Sequence, residues 1–238
     1  MNLLQLLSFG DSGWGMALLQ ATGMTVILTL AALLVGAVFG SLVAAAKLSR
    51  QRSLRWLGDL YSILFRGIPE LLVIYLFYFG GASVVTAVGH WFGGEGYIDV
   101  PPFLVGALAV GLISGSYQAE VYRGAFLAVS KGELEAGLAI GMTRAMRFKR
   151  ILVPQVLRFA LPGLGNVWQM SLKDSALISV IGLVELMRAS QVAAGSTRQY
   201  FTFYIIGGAV YLILTGLSGR LFHMAEARVR RTRQRSPV

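Results

Sequence analysis

Apolar residues in this chain come in long uncharged runs, not in the alternation of a half-buried strand or the one-sided stripe of a surface helix. Charge is absent from Ser12 to Ala46, from Leu71 to Gly94, from Val100 to Ala119 and from Gln199 to Gly219. Each run supplies the roughly 20 residues that a helix needs to cross a bilayer. A fifth stretch, Phe159 to Val184, is apolar apart from the adjacent Lys173 and Asp174. Two central charges cost about 5 to 7 kcal/mol together on insertion scales, whereas each Leu, Ile, Phe or Val returns only about 0.3 to 0.6 kcal/mol. That segment is therefore expected to lean on protein and not on lipid. The pattern predicts an all-α integral membrane protein of about five transmembrane helices.

The segment from Arg123 to Arg158 is too polar for lipid and too regular for a loop, so it predicts short helices on the membrane face. Lys131 to Ile140 is helix-prone and Gly141 is its stop signal; a helical pattern resumes at Met142 and is expected to end at Pro154. Arg144, Arg147 and Arg150 then line one face, suited to anionic head groups or to a protein contact. Glycines inside the spans, among them Gly36, Gly40, Gly106, Gly111, Gly115, Gly207, Gly208 and Gly216, favour close helix packing in one bundle. No repeat or linker divides the chain. The expected organisation is an N-terminal exterior or interfacial segment, 1–16, a transmembrane domain, 17–226, with its cytoplasmic loop at about 131–154, and a basic tail, 227–238. Leu3 to Phe9 is expected along the outer surface, with Trp14 in the interfacial belt. The start has no basic n-region and its first charge is Asp11, so the first span reads as a retained anchor.

Composition narrows the class further. Apolar residues make up 55% of the chain and charged ones 13%, and the mean hydropathy is +0.66, outside the soluble balance. The net charge of +10 would suit nucleic acid if it formed one patch, but it follows loop parity. Basic residues gather after the first, third and fifth spans; none follows the second, and only Arg188 and Arg198 follow the fourth. The positive-inside rule then places the N-terminus outside and the C-terminus in the cytoplasm, with no nucleic-acid partner. There is no cysteine, hence no disulfide and no thiolate metal site. His90 and His223 fall near opposite faces, too far apart for a metal pair, and no Ser, His and Asp constellation assembles, so neither a catalytic nor a metal site is expected. No G-x-x-x-x-G-K-[ST] phosphate loop occurs, so ATP is not bound by that route.

Ionisable residues at membrane depth are costly and become candidates for a substrate path. Glu70, Glu120, Asp174 and Glu185 qualify. Carboxylates lining a cavity would pair with a cationic solute. The alternatives are structural: Lys173 neutralising Asp174, and Glu70 and Glu185 lying at wet span ends. Glu120 stands three residues before Arg123, helical spacing for a local ion pair, and is read that way. The tentative path is therefore Glu70, Asp174 and Glu185.

Within the polar segment, Glu135-Ala136-Gly137 is followed after three residues by Gly141 and after nine more by Ile151-Leu152-Val153-Pro154. This resembles the EAA loop of ABC importer permeases, E-A-A, three residues, G, nine residues, I-x-L-P. Gly137 stands where the pattern has Ala and Val153 where it has Leu, both small or aliphatic exchanges. Together with Thr22 and Thr25, Arg66-Gly67-Ile68-Pro69-Glu70, Arg123-Gly124-Ala125-Phe126, Ala160-Leu161-Pro162-Gly163 and Leu172-Lys173-Asp174-Ser175, the chain is similar to Q-type permease subunits of importers for histidine, lysine, arginine and ornithine, and of opine systems. The resemblance implies a type I ABC importer permease fold in the bacterial inner membrane. It also implies a helix that docks on an ATP-binding subunit, coupled through Glu135, Ala136, Gly137, Gly141, Ile151 and Pro154, with Ala136 and Gly137 permitting close approach. Its implied partners are a sister permease in a heterodimer, an ATP-binding subunit dimer that holds the ATP and magnesium, and a periplasmic amino-acid-binding protein. This chain holds no cofactor of its own. The competing reading is a self-sufficient secondary transporter or channel, for which inverted repeats would speak and none are visible. A membrane enzyme is weaker still, lacking clustered His, Cys or a nucleophile motif.

Overall fold

A computed structural model describes residues 6–10, 13–92, 96 and 98–234, with side chains to Val229. All its regular elements are helical: α1 (Gly15–Lys47), α2 (Arg52–Gly67), α3 (Glu70–Trp91, with a π turn at Leu76–Gly80), α4 (Pro102–Leu127) and α5 (Lys131–Ala139) come first. Then follow α6 (Arg144–Arg147), a π turn (Phe148–Leu152), α7 (Val153–Asp174), a 3₁₀ turn (Ser175–Ile181), α8 (Leu186–Thr197) and α9 (Tyr200–Gln234). Helices α1, α3, α4 and α9 are each long and apolar enough to span a bilayer, and they follow the four uncharged runs.

The fifth span is built otherwise than the apolar run Phe159 to Val184 implies. The helix from Arg144 to Ile181 and α8 form a pair bent by 51°. Gly182 makes the break at φ +96, a left-handed conformation that costs glycine nothing. Discontinuous spans of this kind put polar backbone and side chains inside a membrane protein. Pro154 does not end the helical segment as expected. It lies in the first turn of α7, where the missing N–H matters least, and the preceding π turn loosens the ladder that its ring would otherwise crowd.

Helix α4 is the central post, with 67% of its most apolar window buried, against 11% for α9 and 17% for α3. The peripheral helices therefore present their apolar sides outward, as lipid contact requires. Helix α1 packs along α4 through Gly36 and Gly40, whereas Gly208 and Gly216 face open space. One apolar core joins Leu28 and Ala32 to Val105, Val110, Ile74 and Ile178. A second gathers Leu18, Leu186, Ala193 and Phe203 with Leu6, which is buried. Trp14 sets its ring edge-on to Phe203 at 6.3 Å. Leu3 to Gln5 lie outside the described residues.

Helix α2 extends the second span inward. Midway along it Asp59 pairs with Lys47, at the foot of α1 (3.2 Å); just beyond, Tyr61 donates to the Leu112 carbonyl of α4 (2.7 Å). Arg66 lies over the ring of Tyr117 at 4.9 Å. Pro69, at the N-terminal boundary of α3, separates the two helices.

Candidate coupling surface and substrate path

The polar segment folds into a compact two-helix element at the basic end of the bundle. Helix α5 ends in a Schellman motif: Met142 N–H donates to the Gly137 carbonyl (3.0 Å) and Gly141 N–H to that of Leu138 (3.0 Å). Gly141 adopts φ +81, so it turns the chain as its spacing implies. Thr143 then caps α6, its hydroxyl accepting from Met146 N–H (3.3 Å). Arg147 folds back over α5 and donates to the Leu134 carbonyl (3.4 Å), while Gln155 hydrogen-bonds Glu133. Only Arg144 and Arg150 of the three-arginine stripe remain exposed.

Gly137 plays a different part from that expected of it. It is buried, and a Cβ there would meet Ile151 Cδ1 at 2.7 Å and Arg147 Cγ and Met142 Sδ at 3.3 Å. The close approach it permits is internal: Ile151, from the π turn, seats α5 on the rest of the chain. Glu135, Ala136, Leu138 and Ile140 stay exposed, Ile140 at 78%. The exposed surface thus sets the carboxylate of Glu135 beside an apolar patch, with Glu133 also exposed two residues before it. A groove of about 390 Å³ runs alongside it, bordered by Glu133, Ala136, Ile140, Met142, Arg150 and Pro154.

The carboxylates at membrane depth separate into three environments. Glu120 accepts from Arg123 Nε (3.0 Å) and also pairs with Lys47, whose side chain is only 7% exposed and which bridges to Asp59. The local ion pair read from the sequence is present, within a larger network tying α1, α2 and α4.

Glu185 is completely enclosed, at 0% exposure. Its Oε1 accepts from Arg188 N–H (2.8 Å) and its Oε2 from Met187 N–H (2.9 Å), capping α8; Tyr211 of α9 donates to Oε2 (3.0 Å). Thr25 of α1 lies 3.4 Å from that oxygen and accepts from Leu186 N–H (3.0 Å). Both oxygens of this carboxyl take part in joining three helices. Thr25 and Tyr211 were not singled out as its partners by sequence reasoning, because they lie 160 and 26 residues away.

Glu70 and Asp174 come together. Glu70 opens α3 just after Pro69, Asp174 closes α7 just before the 3₁₀ turn, and the two carboxyls are near enough to interact electrostatically. Both are partly exposed. Lys173 is exposed and forms no ion pair with Asp174 among the described residues. Two carboxyls close together repel unless a proton or cation lies between them. The junction of two interrupted helices therefore gathers negative charge that a cation would offset.

Comparison with known proteins places these features. The octopine transport system permease protein OccQ of Rhizobium meliloti is 55% identical over 96% of each chain. The histidine/lysine/arginine/ornithine transport system permease protein HisQ of Escherichia coli is 37% identical over 92% of this chain and 95% of its own. A crystal structure of an amino acid ABC transporter superposes with a TM-score of 0.75 at 32% identity, covering 90% of this chain and 95% of that one. Residues 36–231 match the family of binding-protein-dependent transport system inner membrane components, and the chain belongs to that family.

Proposed function

We propose that this chain is the permease subunit through which a basic amino acid or an opine is imported across the bacterial inner membrane, with Glu70 and Asp174 as its cation-binding pair. The proximity of these two carboxyls at two helix breaks carries the reading: an ammonium or guanidinium group placed between them would satisfy both. The names of the relatives, for octopine and for histidine, lysine, arginine and ornithine, support the same substrate class. Glu185 serves this path from behind, by holding α8 against α1 and α9. The N-terminus lies in the periplasm and the basic tail in the cytoplasm. The chain pairs with a sister permease, most simply as a heterodimer, and ATP and magnesium act in a partner ATPase dimer fed by a periplasmic binding protein. No catalysis takes place in this chain. The rival reading as a self-sufficient transporter is not favoured by the family.

The test is uptake into proteoliposomes holding the assembled importer. Asp174→Asn combined with Glu70→Gln is expected to lower uptake efficiency for the basic substrate about tenfold to a hundredfold, the worth of one or two charge-assisted hydrogen bonds. Unchanged affinity and rate for every basic amino acid and opine tried would sink the proposed path.

Force from the ATPase enters, on this reading, through the exposed face of α5, with Glu135 and Ala136 in contact and Gly141 and the Ile151 anchor keeping the helix in place. Pro154 borders the adjoining groove. Glu135→Arg reverses the contact charge, and Gly141→Val forces a β-branched residue to φ +81, at a cost of about 1 to 3 kcal/mol. Both variants are expected to insert normally and hydrolyse ATP while uptake falls about tenfold or more. Normal transport by both would refute the assignment.

A further inference from the structure

The coupling segment is joined to the bundle over a cavity that neither the substrate path nor the α5 surface uses. It has a volume of about 560 Å³, within the range of roughly 300 to 1,000 Å³ typical of ligand sites. Ser41, Ala45 and Leu48 of α1 and the residue after it form one wall, Phe126 of α4 another, and Phe148 of the π turn with Leu157 of α7 the third. The lining is almost wholly apolar. The hydroxyl of Tyr122, which also lines the cavity, is already donated to Gln118 Oε1 (2.9 Å). Phe148 and Leu157 are more than half exposed, so the cavity opens sideways to the surroundings of the bundle.

Its position is what identifies the occupant. The cavity lies at the basic end, level with the last turn of α1, where Lys47 is consumed by Asp59 and Glu120. Arg50, two residues beyond Leu48, and Lys149, next to Phe148, are exposed and join no ion pair among the described residues. An apolar slot whose lining residues Leu48 and Phe148 are followed closely in the chain by unspent cations is complementary to a molecule with a hydrocarbon chain and an anionic head. We propose that this cavity binds one acyl chain of an anionic phospholipid, its phosphate held by Arg50 and Lys149. The lipid then wedges the joint between α1, α4 and the π turn, behind the anchor Ile151 that seats α5. The head-group composition of the membrane thereby sets how firmly the coupling segment is held.

The proposal rests on the membrane assignment and not on the substrate, so either reading can fail alone. It is tested with the assembled importer exchanged into nanodiscs of equal phosphatidylglycerol and phosphatidylcholine, followed by mass spectrometry of the phospholipid retained after repurification in detergent. The unaltered complex is expected to retain phosphatidylglycerol in preference. Ala45→Phe, which fills the slot, is expected to lower the retained phospholipid about tenfold, and Arg50→Gln with Lys149→Gln to lower the preference for phosphatidylglycerol about tenfold. Should Ala45→Phe not assemble, the double charge variant, at exposed positions, decides the matter. Equal retention of both lipids by the unaltered complex overturns the proposal. So does a photo-crosslinker at position 148 that captures a partner polypeptide instead of lipid.

Discussion

Glu185→Ala is expected to lower the melting temperature of the purified importer by about 10 °C. Truncation removes the acceptor for Met187 N–H, Arg188 N–H and the Tyr211 hydroxyl at once. An orphaned buried donor costs about 1 to 3 kcal/mol, and a lost N-cap contributes about 1 kcal/mol. Water relieves part of this at the vacated site, so a total of about 3 to 5 kcal/mol is expected. At about 2 to 4 °C per kcal/mol for a chain of this size, that gives the stated shift. Glu185→Gln keeps one acceptor oxygen and is expected to lose less than half as much. The contrast with Asp174→Asn is the informative part: that change removes charge from a partly exposed site and should leave the melt unaltered while uptake falls. A Glu185→Ala complex that melts with the parent, or an Asp174→Asn complex that melts far below it, would reverse the roles assigned to these two carboxylates.

Those roles were only half legible in the sequence. Both residues announce themselves as charges where lipid forbids charge, but what separates them is long-range: Glu185 meets Thr25 and Tyr211, Asp174 meets Glu70. No local pattern encodes either meeting. The four uncharged runs, by contrast, map directly onto α1, α3, α4 and α9, because hydropathy is summed along a segment and needs no partner. Even there the charges mislead at the margins. Helix α4 continues beyond Glu120 and Arg123 because those residues neutralise each other and Lys47.

Helix α2 has no counterpart among the uncharged runs. Arg52, Arg55, Asp59 and Arg66 interrupt its apolar pattern, although Leu54, Leu57, Tyr61 and Leu64 recur at helical spacing. Pro154 misled in the opposite sense. A proline stops a helix only where the ladder ahead of it is tight, and the π turn at Phe148–Leu152 loosens that ladder. The Glu135, Gly141 and Ile151 spacing was readable because its elements are local: a helix, a left-handed stop and a return. That Gly137 faces inward was not, since only the path of the chain through the π turn brings Ile151 back against it.

Gly36→Leu is expected to abolish accumulation of a monodisperse complex, the largest effect of any single change considered. A Cβ at Gly36 would stand 2.3 Å from Ser114 Oγ, 2.4 Å from Gln118 Nε2 and 3.0 Å from the Gly111 carbonyl oxygen. None of these can simply step aside. Ser114 donates to the Gly111 carbonyl (3.1 Å), Gln118 donates to the Leu33 carbonyl (3.3 Å), and Tyr122 donates to Gln118 (2.9 Å). Displacing Gln118 therefore breaks a ladder that runs along α4, in addition to prising α1 from it. Overpacking alone costs about 1 to 3 kcal/mol, and each buried hydrogen bond lost without replacement adds about 1 to 3 kcal/mol. Against a net stability of about 5 to 15 kcal/mol this takes away most of what holds the bundle. Gly208→Leu is the control, since nothing lies within 4 Å of its Cβ position, and its membrane yield should match the parent. Fluorescence-detected size exclusion of the two variants decides the point: a sharp peak at parental height for Gly36→Leu would show that α1 and α4 do not depend on this contact.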